Sequence, residues 1–249
     1  MRNIILGMSA FALAAVATPV LAQDEATGGF SVSGNAAIVT DYRFRGISLS
    51  TGDVAIQGGI DVGHDSGFYI GTWGSSLADA GGAVPTYGAA EIDIYGGWSG
   101  EVSPGLTVDV GVLYYMYPNG TPGADLDYWE PYASISTTLG PVEGTFGVAY
   151  APDQDSLGSD DNLYLYTDLG VGIPNTPISL SGHLGYTDGV LSPKSLAGQG
   201  DKASFDWSLG ATWAVTDKLS LGVTYTGVEA NSFDRFTDDG VFATLAVSF

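Results

Sequence analysis

From Phe30 to Phe249 the chain alternates apolar and polar residues with a period of two, and no 3.6-residue period interrupts it. In an extended strand successive side chains point to opposite faces, so each run has one apolar side and one polar side. Phe30 to Arg45 sets Phe30, Val32, Ala36, Ile38, Tyr42 and Phe44 against Ser31, Ser33, Asn35, Asp41, Arg43 and Arg45. Leu106 to Tyr117 sets Leu106, Val108, Val110, Val112 and Tyr114 against Thr107, Asp109, Tyr115 and Tyr117. Twelve such runs follow one another, each close to the ~9–11 residues that a tilted strand needs to cross a bilayer. The connections between them strictly alternate long and short, and turns such as His64–Gly67 and Gly140-Pro141 mark the short ones.

Two architectures use this pattern. A soluble sandwich buries its apolar faces between two sheets, whereas a membrane barrel turns them toward lipid and encloses the polar faces. The polar faces here consist mostly of Ser, Thr, Gly, Tyr and acids, almost without the lysines a water-facing sheet carries. Aromatic residues cap the apolar faces near strand ends, as the interfaces of a bilayer require. Tyr42, Phe44, Trp98, Trp129, Trp207, Trp213 and Phe249 are the expected lipid-interface aromatics. The pattern therefore predicts an all-β fold: a transmembrane, antiparallel, up-and-down β-barrel of 12 strands, with short periplasmic turns and long extracellular loops. Closure leaves no strand edge unpaired, which hydrocarbon demands.

Composition narrows the picture further. Glycine, at 37 of 249 residues, disfavours helices but suits closely approaching strands. There is no cysteine, so neither a disulfide framework nor a thiolate metal site is expected. Residues 1–22 read as a cleaved secretory signal, with a cationic start, an apolar run and the small-residue site Val20-Leu21-Ala22. Residues 23–249 then form a single barrel domain with six basic residues against 28 acidic ones. That balance excludes nucleic acid as a partner.

The polar faces supply the candidate chemistry. Asp41, Arg43, Arg45, Gln57, Asp61, Glu91, Asp93, Asp109, Tyr115, Glu130, Tyr132, Tyr164, Asp168, His183 and Asp206 all fall on the side expected to face the lumen. A charge in a narrow lumen is costly unless hydrated or paired. Arg43 and Arg45 therefore either cross-brace the acids and stiffen the wall, or set a transverse field at a constriction; a braced ring can do both. The inward tyrosines either fill the barrel or offer a stacking surface for solutes, and filling suits a barrel narrower than the 16–18-stranded porins. The excess of acids favours cations or neutral solutes over anions. Catalysis has little support, since His183 has Ser179 and Ser181 on its face only at period-two spacing, about 7 Å away. The acidic loops lack the spacing of a calcium site, and no cofactor or metal is expected.

The apolar residues at alternate positions up to Phe249 look like the C-terminal signal of bacterial outer-membrane proteins, which implies recognition by the outer-membrane assembly machinery. The run Val39-Thr40-Asp41-Tyr42-Arg43-Phe44-Arg45-Gly46-Ile47-Ser48, with Gly67-Phe68-Tyr69-Ile70-Gly71-Thr72-Trp73 and Glu91-Ile92-Asp93-Ile94-Tyr95-Gly96-Gly97, resembles the TorF family of porins. The resemblance implies an outer-membrane barrel with a pore for small solutes, in contact with lipid and lipopolysaccharide, and names no substrate. The competing expectations are a non-conducting structural or surface-interaction barrel and, behind it, a lipolytic barrel enzyme.

Overall fold

The computed structural model describes residues 29–78, 87–118, 120–121, 124–233 and 235–249. The expected signal segment 1–22 lies outside them. Twelve long strands form the barrel: β1 (Phe30–Val39), β4 (Ala55–His64), β5 (Phe68–Ser76), β6 (Ala90–Ser103), β7 (Leu106–Met116), β8 (Tyr128–Leu139), β9 (Val142–Gln154), β10 (Asp160–Gly172), β11 (Ile178–Gly189), β12 (Ala203–Ala214), β13 (Leu219–Val228) and β14 (Gly240–Ser248). Each pairs antiparallel with its neighbours, and β1 pairs with both β4 and β14 to close the ring. At that closure Phe249 and Gly34 exchange backbone bonds of 2.8 and 3.0 Å. The Phe249 ring lies over Gly34, where a β-carbon would stand 2.7 Å from it.

The apolar sides of the strands point outward and stay uncovered. Val32, Ile56, Ile60, Phe68, Leu169, Leu209 and Val241 are each more than half exposed. A belt of this kind around a closed sheet needs hydrocarbon as its solvent, so the strands cross a membrane. Among the described residues no helix is long and apolar enough to do so. Trp98 and Trp213 sit on the outer face by the short-turn rim, and Trp129 by the rim of long connections. Tyr150 and Tyr225 also face outward, and each donates its hydroxyl to an acid by the long-connection rim, Asp161 at 2.9 Å and Asp239 at 2.7 Å. Rings in the apolar layer with polar tips in water are the arrangement a bilayer interface favours.

The first strand departs from the sequence expectation. It ends at Val39, which pairs with Ala55 at the end of the β1–β4 ladder, and does not run on to Arg45. Residues 40–54 turn into the barrel and carry a small hairpin, β2 (Arg43–Phe44) and β3 (Ile47–Ser48). The cause is two tight turns, Arg45-Gly46 and Thr51-Gly52, in which both residues have positive φ (47° and 79°; 54° and 77°). Paired left-handed residues give the two-residue hairpin turn whose twist matches its flanking strands. Tyr42 and Phe44 are consequently buried, 2% and 8% exposed, and are not lipid-interface residues.

Candidate functional site

The inserted hairpin packs inside the barrel among residues of its wall. Asp41 organises it from within: its carboxylate accepts from Arg43 Nε at 2.5 Å, from the Ser48 and Ser50 hydroxyls, and from the Gly52 amide at 3.3 Å. Arg43 also donates to the carbonyls of Gly46 (3.0 Å) and Asp238 (2.7 Å), tying the hairpin to the last long connection. Thr40 N donates to Ala243 O of β14 at 3.0 Å, Leu49 O accepts from Ala78 N at 3.2 Å, and further bonds reach the barrel wall and that connection. The Tyr42 hydroxyl donates to Glu91 at 2.9 Å, Arg45 Nη2 donates to Glu130 Oε2 at 2.6 Å, and the Ser48 amide donates to Phe236 O at 2.9 Å. The side chains of Arg45 and Glu130 are 3% and 0% exposed. Around them Tyr42, Phe44, Ile47, Tyr115, Tyr128 and Tyr164 form an apolar core inside the barrel. At this level side chains occupy the lumen apart from a cavity beside Arg43 and Arg45.

The sequence-marked residues fall into three groups. Asp41, Arg43, Arg45, Glu91, Asp93, Tyr115 and Glu130 belong to the hairpin and the wall it touches; Tyr115 stacks on Tyr128 at 4.4 Å and donates to Glu130 at 3.3 Å. Asp168, His183, Asp206 and Tyr164 form a second group. His183 Nδ1 lies 2.6 Å from Asp168 Oδ1, and Nε2 lies 3.0 Å from Asp206 Oδ1 and 2.8 Å from the Tyr164 hydroxyl. A carboxylate at each ring nitrogen engages both, so the imidazole is held as a bridge and has no lone pair poised for a serine. One cavity runs between this group and the hairpin, lined by Arg43, Arg45, Tyr164, His183, Asp206 and Ser208.

The third group lies toward the short-turn rim. There the Tyr95 hydroxyl donates to Asp61, and the Tyr69 hydroxyl donates to Asp109, both at 2.6 Å. Tyr132 bonds Tyr69 on the same wall. Further inward positions are small and polar (Ser136, Thr145, Ser179, Ser181 and Thr212) and only half buried. Gln57 does not belong to this group: it lies at the long-connection end of β4, buried, and donates to Ser75 across the β4–β5 pair at 3.3 Å. Sequence reasoning read the faces of the wall strands but placed Asp41, Arg43 and Arg45 on β1 and missed the stopper, whose signal was the pair of X-Gly steps at Gly46 and Gly52.

Above the long-connection rim, a short helix α1 (Pro193–Leu196) carries Lys194, which donates to Glu229 at 2.9 Å. Their hydrogen bond holds the lysine above its usual pKa range and the glutamate below its own. Among the described residues no group of three or more His, Asp or Glu is arranged to hold a metal ion.

A family model described as a bacterial protein of unknown function, Gcw_chp, matches residues 23–248. No curated protein matches the chain. Among solved structures, the NanC porin aligns with a TM-score of 0.58 at 12% identity, over 88% of this chain and 99% of its own. The KdgM porin aligns with a TM-score of 0.56 at 8% identity, over 87% of this chain and 98% of its own. Identities this low carry the likeness of fold alone: the chain shares the closed antiparallel barrel of these outer-membrane proteins.

Proposed function

We propose that this chain, which belongs to the Gcw_chp family of bacterial proteins of unknown function, is an outer-membrane channel for small hydrophilic solutes, closed at its outer end by its own residues 40–54. The observation that carries this reading is the asymmetry of the lumen. A polar, half-buried wall near the short-turn rim leads to a stopper bonded to the rest of the barrel through a few side chains and through the backbone of Thr40, Ser48 and Leu49. A barrel with no traffic has no use for the first, and a permanently filled one would more simply extend its core. The likeness of residues 39–48 to TorF porins supports the same reading. A structure of KdgM porin is in complex with disordered oligogalacturonate. The acid-rich wall of this chain instead favours cations or neutral solutes, by field rather than by size.

The full burial of the Arg45–Glu130 pair favours a second reading, a barrel whose stopper never leaves. Planar-bilayer recordings of the refolded protein separate the two. The wild type is expected to open rarely, and the combination Tyr42→Phe with Arg45→Ala to open often. Absence of current from both proteins would overturn the channel reading.

A further inference from the structure

The wall opposite the stopper is built to hold a cation, and the chain occupies it with its own side chain. Glu130 on β8 is fully buried, with the Tyr115 hydroxyl of β7 on one oxygen. Arg45 Nη2 bonds that same oxygen, and the guanidinium carbon stands 4.2 Å from the centre of the Tyr164 ring on β10. A carboxylate beside an aromatic face is the arrangement that recognises a planar, delocalised cation in preference to a compact ammonium.

Resident and receptor do not match fully. Glu130 Oε1 and Asp93 Oδ1 are buried acceptors with no hydrogen-bond partner among the described residues. Asp93 lies within electrostatic reach of Glu91 and Glu130. Arg45 in turn leaves Nε and Nη1 without a partner, and its backbone is held at a φ of 47°, where a β-carbon is strained. The wall thus has acceptors to spare and the arginine has donors to spare, yet the tight turn fixes where the fork can reach. A guanidinium free of that tether can shift to use both.

We propose that this wall is a binding site for guanidinium-bearing solutes, with Arg45 as an internal stand-in that such a solute displaces, releasing the stopper. The proposal rests on the channel reading for its purpose, but binding is measurable without current. Methylguanidinium is titrated into refolded Arg45→Ala in detergent by calorimetry, with methylammonium and urea as controls for charge and for planarity. Methylguanidinium should bind on the order of tenfold more tightly than methylammonium, urea should not bind, and adding Glu130→Gln should abolish the difference. Because Arg45→Ala could unfold, the wild type is tested in parallel by hydrogen exchange. There methylguanidinium alone should speed exchange of the amides of residues 42–52. Equal effects of the three compounds in either protein overturn the site. Selective binding with no current in any variant leaves the site standing and overturns the channel.

Discussion

At the scale of single residues, the buried Arg45–Glu130 pair makes the clearest prediction. Removing one partner of a buried pair typically costs about 3–5 kcal/mol, because the other charge is left stranded. On the proposed channel reading Arg45 sits on a segment that withdraws, so Glu130→Ala should lower barrel stability by much less than that. The loss should appear instead as exposed stopper amides and more frequent channel openings. Urea unfolding of the variant checks this, and a full-sized loss with the stopper still seated would make Arg45 part of the wall's core. The inward ionic residues were legible in the sequence because period two fixes which side chains share a face. Tyr42 and Phe44 were not, because that rule holds only while the backbone stays in the wall. Once Arg45-Gly46 reverses the chain, Tyr42 reaches Glu91 and Phe44 packs edge-on against Tyr115, 5.9 Å between ring centres.

At the scale of elements, the stopper depends on its turns. A β-carbon on Gly46 would stand 2.3 Å from Val228 Cγ1, and φ at that residue is 79°. Gly46→Ala therefore combines a clash with left-handed strain of about 1–2 kcal/mol, without changing any lumen charge. It should unseat the hairpin and raise open probability while the reversal potential stays near that of open wild type; an unchanged gating pattern would show the turn to be replaceable. The strands themselves were legible because alternation and the long–short rhythm of connections agree over the whole chain. The inward hairpin was hidden because its residues continue the alternation of β1, and two glycines were the sole sign of a change in direction.

For the whole molecule, the decisive quantities are the apolar belt and the charge it encloses. With 28 acids in the chain against seven bases, an open lumen should pass cations over anions, and the preference should fade as salt screens the wall. Arg43→Ala with Arg45→Ala should strengthen it, and reversal potentials across a potassium chloride gradient provide the measure. Equal permeability in both proteins would mean that the wall charges do not face the path. The pairing of Val39 with Ala55 has a consequence for how such a protein can vary. The two ends of the stopper already stand opposite each other on adjacent strands, where a two-residue Asn-Gly turn would join them in register. The closure is thus a cassette spliced into a finished cylinder. On the channel reading it can be shortened or exchanged as a unit, so that the traffic such a barrel admits can diverge with few changes to its wall beyond the partners of the segment, such as Glu130.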